Sequence, residues 1–156
     1  SLDNARILIL GAGGATRGIL PILFASLVGS VVLCNRTMAK AELLQEEFLP
    51  YGEIICQTSE QLSGRYDLII NATSASLSGE IPDMPDTIIP GSVCYDLAYA
   101  YGETPFQNWT KQNNSAKSLQ GWGMLVEQAA ESFYIWRGVR PKTQEIIQRL
   151  QTELEN

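Results

Sequence analysis

Gly11, Gly13 and Gly14, followed by Ala15 and Thr16, form a stretch with almost no side chain. A segment of this kind lets main-chain N–H groups come close to a phosphate, because no Cβ stands in the way. About twenty residues further on, Asn35-Arg36-Thr37-Met38-Ala39-Lys40 offers an amide, a guanidinium, a hydroxyl and an ammonium with no carboxylate among them. A guanidinium grips phosphate through paired hydrogen bonds and stacks on flat rings, and an ammonium adds a point charge. Together the two segments hold the chemistry for binding a small polyanion.

The distribution of charge agrees. Between Asp3 and Glu42 there is no acidic residue, while Arg6, Arg17, Arg36 and Lys40 give that span a charge of +4; residues 42–156 carry 7 basic and 16 acidic side chains, or −9. A net charge of −6 speaks against nonspecific nucleic-acid binding and for a local basic pocket. The chain has no histidine, which removes Ser-His-Asp and Cys-His nucleophilic sites and nearly all catalytic zinc sites. Cys34, Cys56 and Cys94 are odd in number and lack C-x-x-C spacing, so they read as buried thiols of a cytoplasmic protein rather than disulfides or metal ligands. No charged leader opens the chain and no apolar run approaches the ~18 residues of a membrane span; a cytoplasmic protein without a membrane partner is expected.

The elements that must position these residues follow from the apolar pattern. Residues 6–10 are a short continuous apolar run, suited to a strand buried on both faces, and the glycine stretch follows at once. Residues 19–28 read as a helix that Pro21 kinks, and residues 30–34 as a second strand. Strand, helix and strand at this spacing form a right-handed parallel crossover. Thr37 is placed to cap a helix over 38–48; further strands are expected at 54–56, 66–71 and 93–97, with a functional loop over 73–91. Thr104-Pro105-Phe106-Gln107 carries a cap, a proline at the first helical position and a capping-box partner. A strand over 117–119, a helix over 123–136 ended by Gly138, and a helix over 141–154 with Ile146, Ile147, Leu150 and Leu154 on one stripe complete the chain. The expected fold is α/β, a doubly wound parallel sheet forming a single Rossmann-like nucleotide-binding domain over residues 1–156.

In such a fold the end of the second strand separates two dinucleotides. An NAD site places a carboxylate there for the ribose 2′-hydroxyl, and an NADP site replaces it with neutral and cationic groups around the 2′-phosphate. Asn35, Arg36, Thr37 and Lys40 point to NADP, against the plainer reading of a solvated basic helix start. The G-x-G-x-x-G/A pattern is incomplete, because its third small position holds Thr16. Asn71-Ala72-Thr73-Ser74 and Tyr95-Asp96-Leu97-Ala98-Tyr99 close two strands where ligand-contacting loops belong, and each is equally open to ordinary turn or core roles. Gly121-Trp122-Gly123 leads into a helix from which Gln128 projects, toward a ligand or toward solvent.

Taken together, Gly11–Gly18, Asn35–Thr37, Asn71–Ser74, Tyr95–Tyr99 and Gly121–Gln128 resemble the NADP-binding half of the shikimate dehydrogenase family, and the likeness continues through Ala129, Ala130, Phe133, Trp136 and Gly138. The resemblance implies NADPH-dependent reduction of 3-dehydroshikimate to shikimate, on the route to chorismate and the aromatic amino acids. It implies a pyrophosphate loop at Gly11, Ala12, Gly13, Gly14 and Ala15, and a 2′-phosphate clamp at Asn35, Arg36, Thr37 and Lys40. It also implies cofactor contacts at Asn71, Ala72 and Thr73, backbone beside the nicotinamide at Leu97 and Gly121, and shikimate-facing positions at Tyr99 and Gln128. Lys40 stands where the family commonly has a second arginine, and Ser76 where it often has glycine. The catalytic lysine and aspartate of the family belong to a substrate domain preceding this half, so none is assigned here, nor any metal. On this reading the chain is an excised C-terminal domain with Ser1-Leu2 as a cloning remnant, which binds NADP and by itself catalyses nothing; its parent is a monomer or homodimer. Quinate/shikimate dehydrogenases share the architecture, and glutamyl-tRNA reductase has a similar glycine loop, although the Gly121–Gln128 helix favours shikimate dehydrogenase. A stand-alone NADP-sensing module is the alternative of a different class.

Overall fold

A computed structural model describes residues 2–154. Six strands, β1 (Arg6–Leu10), β2 (Ser30–Cys34), β3 (Ile54–Gln57), β4 (Leu68–Asn71), β5 (Val93–Asp96) and β6 (Lys117–Gln120), form one sheet in the order β3-β2-β1-β4-β5-β6. Every pairing is parallel. Five helices accompany them: α1 (Gly14–Ala25), α2 (Met38–Phe48), α3 (Pro105–Gln112), α4 (Trp122–Arg137) and α5 (Gln144–Leu154). The strand order reverses between β1 and β4, so their carboxyl ends border the crevice where doubly wound sheets take ligands.

The continuous apolar runs are buried on both faces, as a parallel sheet requires. On one face Ile7, Ile9, Val31, Leu33 and Ile54 pack with Leu20 and Leu23 of α1 and Ala41, Leu44 and Phe48 of α2. On the other, Leu8, Leu10, Val32, Ile69 and Cys94 meet Leu62, Tyr66, Phe106 and Met84, Ile88 and Ile89. The last three come from the long 73–91 connection. That segment, expected as a functional loop, therefore gives its second part to the core: the short 3-10 turn at Asp86–Ile88 and its neighbours pack on the sheet, while the turn at Ala75–Ser78 buries no residue.

Several boundaries differ from the sequence expectation for identifiable reasons. α1 starts at Gly14, inside the glycine stretch, not at residue 19. It stops at Ala25 because Ser26 turns its N–H and hydroxyl back onto the Ile22 carbonyl and Leu27 enters the left-handed region at φ 54°. Thr37 precedes α2, but its side chain makes no cap bond. β3 extends to Gln57, β5 ends at Asp96, and β4 begins at Leu68, since Tyr66 turns into the core beneath the Arg6 guanidinium, 4.3 Å from its ring. Thr104 does cap α3, accepting the Gln107 N–H at 3.1 Å, while the Gln107 side chain reaches across to the Ser118 carbonyl instead of closing a capping box. β6 and α4 form where expected, and Gly138 ends α4 at φ +70°. α5 begins at Gln144 rather than 141, with Thr143 accepting the Ile147 N–H and donating its hydroxyl to Glu127. Ile147 and Leu150 are half-buried on its stripe and Ile146 is exposed; the Leu154 side chain and Ser1 lie outside the described residues. Cys34 and Cys94 are buried, but Cys56 is only half-buried, because β3 is an edge strand.

Candidate functional site

The glycine turn leaves β1 at the carboxyl edge of the sheet. Gly11 sits at φ +99°, and a Cβ there would come within 3.0 Å of the Ala72 carbonyl oxygen. Conformation and space both demand glycine at this point. Its N–H is taken by the Cys34 carbonyl at 2.8 Å. Thr16, the apparent flaw in the glycine pattern, is fully buried and donates its hydroxyl to the Gly11 carbonyl at 2.6 Å, bracing the turn from below. Ala12 gives its N–H to the Asn35 side-chain oxygen at 3.1 Å, and the Asn35 amide donates to the Thr37 carbonyl at 2.7 Å. Asn35 thus ties the turn to the start of α2. Gly13, Gly14 and Ala15 remain exposed at the amino end of α1, which no side chain caps, and nothing stands within 4 Å of where a Cβ on Gly13 or Gly14 would be. The result is an open cradle with uncapped helix-end N–H groups.

The four cations of the acid-free stretch do not gather into one pocket. Arg6 lies at the opposite, amino end of β1, where its guanidinium binds the Ser63 and Arg65 carbonyls at 3.2 and 3.1 Å. Arg17 pairs with Glu47 of α2. Arg36 and Lys40 are exposed beside the exposed Thr37, and among the described residues neither takes part in an ion pair. At the end of β2, on the sheet face away from α2, burial and then the Asp83 and Glu60 carboxylates push the Cys34 thiol up from 9.0 to about 11.

The β4–β6 end of the rim is built differently. Asn71 is fully buried; its side-chain oxygen accepts the Thr73 N–H and hydroxyl at 3.1 and 2.7 Å, and its amide donates to Asp96 at 3.0 Å and Ser76 at 3.4 Å. Of the two roles the sequence leaves open, the Asn71 side chain performs the turn chemistry. Ala72 gives its N–H to the Leu10 carbonyl at 2.9 Å, and the Thr73 hydroxyl accepts the Ala75 N–H at 3.2 Å. Leu97 and Gly121 are brought together. Gly121 is buried, a Cβ on it would fall on the Leu97 carbonyl, 3.0 Å from its carbon, and its N–H bonds the Ala98 carbonyl at 2.9 Å. Tyr99 is 41% exposed, with its ring centroid 4.7 Å from that of Trp122, whose indole N–H donates to the Ala100 carbonyl at 3.2 Å. Gln128 is exposed on α4, and among the described residues no hydrogen bond joins it to Tyr99.

Sequence reasoning passed over Asp96 as a working residue. It is fully buried and accepts four hydrogen bonds, from Asn71, Ala98, Ser76 and Thr104. Strand alternation carried a signal: Asp96 shares the face of Cys94, so it had to be buried and needed several donors. Among the described residues no group of three or more His, Cys, Asp or Glu is arranged to hold a metal. Burial raises all three thiols, so they make poor nucleophiles. The rim is equipped to bind and orient a ligand.

Comparison with known proteins agrees with this architecture. Residues 1–78 match the family described as shikimate / quinate 5-dehydrogenase, and residues 121–151 the shikimate 5′-dehydrogenase C-terminal domain. Among curated relatives, the shikimate dehydrogenase (NADP(+)) of Methylococcus capsulatus is 52% identical over 98% of this chain and 56% of its own length. That of Vibrio cholerae is 50% identical over 99% and 56%. Among solved structures, an Ael1 enzyme from Pseudomonas putida superposes with a TM-score of 0.88 at 43% identity, covering 96% of this chain and 55% of that one. Shikimate dehydrogenase from Aquifex aeolicus gives 0.73 at 28%, covering 92% and 52%. The chain spans a little over half the length of the curated relatives it matches.

Proposed function

Because this chain belongs to the shikimate/quinate 5-dehydrogenase family, we propose that its 156 residues form the NADP-binding unit of a shikimate dehydrogenase. The observation that carries this reading is the pair of cations, Arg36 and Lys40, which stand exposed beside the Thr37 hydroxyl just after β2 and join no ion pair among the described residues, in a stretch, 35–41, that contains no carboxylate. A 2′-phosphate fits beside the two cations; residues 35–41 offer a bare 2′-hydroxyl no carboxylate acceptor. The open cradle fits as well, since the glycines leave room above it and the amino end of α1 is uncapped.

In this reading Gly13, Gly14 and Ala15 present N–H groups to the pyrophosphate. The N–H groups of Gly11 and Ala12 are spent on Cys34 and Asn35, so these two residues shape the loop rather than bind through their amides. Asn35 holds the clamp in register, and Arg36 with Lys40 neutralises the 2′-phosphate. Ala72, Thr73, Leu97 and Gly121 line the path to the nicotinamide, with the buried Asn71 holding the turn behind it, and the Tyr99 hydroxyl and Gln128 amide face a hydroxyl-rich substrate. NADPH would supply the hydride that reduces the ketone of 3-dehydroshikimate to the alcohol of shikimate. We assign no proton-transferring residue within these 156 positions, so the chain alone binds cofactor without turnover. We further place the protein in the cytoplasm as a monomer or homodimer. Among the described residues no helix is long and apolar enough to cross a membrane.

Calorimetric titration with NADP and, in parallel, NAD tests the reading. Micromolar-range NADP binding with NAD at least an order of magnitude weaker is expected. Equal affinities would overturn the 2′-phosphate argument, and shikimate oxidation by this chain alone would overturn the division of labour.

A further inference from the structure

Asp96 presents an imbalance that the cofactor reading leaves unexplained. A carboxylate with no exposed surface carries four hydrogen bonds yet, among the described residues, no ion pair. Burying such a charge is costly, and an apolar side chain of similar size would satisfy the core without needing any partner. What the carboxylate does that an apolar group cannot is hold several donors at fixed angles through short charge-assisted bonds.

The donors come from four separate segments. One oxygen accepts the Asn71 amide at 3.0 Å from the end of β4 and the Ala98 N–H at 3.1 Å from the turn after β5. The other accepts the Ser76 hydroxyl at 2.6 Å from the segment after β4 and the Thr104 hydroxyl at 2.7 Å from the cap of α3. Two of these partners lead directly to the rim. Asn71 fixes Thr73, and Ala98 accepts the Gly121 N–H while its neighbour Leu97 lies against the Gly121 backbone. None of the four reaches Arg36, Thr37 or Lys40.

We propose that Asp96 is a positioning residue that sets the nicotinamide end of the site and leaves the 2′-phosphate end untouched. The proposal rests on the cofactor reading above. Its test pairs two probes, NADP and adenosine 2′,5′-bisphosphate, which keeps the 2′-phosphate and lacks the nicotinamide half. Titrated into the 156-residue chain, Asp96→Ala is expected to weaken NADP about tenfold or more while leaving the bisphosphate within about twofold of the parent. Asp96→Asn is expected to restore NADP binding. Its amide oxygen can accept from Ala98 and Asn71, and its NH2 can donate to the two hydroxyls, which rotate to accept. Ser76→Ala, which removes a single donor, keeps the test open if Asp96→Ala does not fold; a smaller loss confined to NADP is expected. Parallel weakening of both probes, unchanged NADP binding, or Asp96→Asn behaving as Asp96→Ala would each overturn the proposal alone. A parent chain that binds neither probe would overturn the cofactor reading, and the proposal with it.

Discussion

At the β2 end of the carboxyl rim, Arg36, Thr37 and Lys40 stand exposed, and neither cation is drawn into an ion pair among the described residues. At the β4–β6 end, Asn71 and Asp96 are fully buried, every polar atom of their side chains is engaged, and Gly121 lies under the Leu97 carbonyl. Recognising an anion requires charges kept available, which a surface tolerates at little cost. Presenting a flat ring at a set angle requires backbone that cannot move, which takes buried hydrogen bonds and the absence of a Cβ. The first kind of end gives affinity independent of stability, and in the second the two are joined.

The largest expected effect comes from joining them destructively. Gly121→Ala drives a methyl into the backbone carbonyls of Leu97 and Ala98. It should lower unfolding free energy by about 3 kcal/mol and abolish measurable NADP binding, seen together in urea titration and calorimetry. Arg36→Ala should separate the two quantities. NADP affinity falls by about 10- to 100-fold, the value of a charge-assisted bond of roughly 1.5–3 kcal/mol, while the urea midpoint and NAD affinity stay put; a shifted midpoint would erase the contrast. Thr16→Val removes the 2.6 Å bond to the Gly11 carbonyl and strands a buried acceptor. We expect a loss of about 1–2 kcal/mol in stability, with a modest affinity loss because the cradle itself loosens.

The smallest effect lies at the end of β2. Folding holds the Cys34 thiol neutral up to about 11, against 9.0 ordinarily. The unfolded chain releases this proton first as pH rises, so the contribution of the thiol is intact below 9.0 and lost on passing about 11. Urea midpoints should decline over that window more steeply for the parent than for Cys34→Ala. Parallel declines would show that Cys34 is not the group responsible.

The same contrast governs how much could be read beforehand. The strands announced themselves because a parallel sheet buried on both faces needs unbroken apolar runs, and Arg36 and Lys40 because charge is a property of composition. Arg6 and Arg17 misled for a related reason. Sequence gives the sign of a charge but not its partner, and only the fold brings Glu47 to Arg17 or the Ser63 and Arg65 carbonyls to Arg6. α1 began earlier than the apolar pattern implied, because its first turn, Gly14-Ala15-Thr16-Arg17, carries no hydrophobic period. Asp96 stayed hidden because its four donors lie up to 25 positions away and converge only once β4 and β5 are side by side.

The strand order has one further consequence. β1 to β3 occupy residues 6–57 and β4 to β6 residues 68–120, and the two halves of the sheet share a single seam, β1 against β4, with Gly11 facing Ala72 across it. A ligand laid from Arg36 to Gly121 would rivet that seam. Its binding energy would oppose every fluctuation that parts the halves, by an amount set by its concentration over its dissociation constant. Amide exchange at the Ala72 N–H, bonded across the seam to the Leu10 carbonyl, would then report ligand occupancy through the closure of the seam.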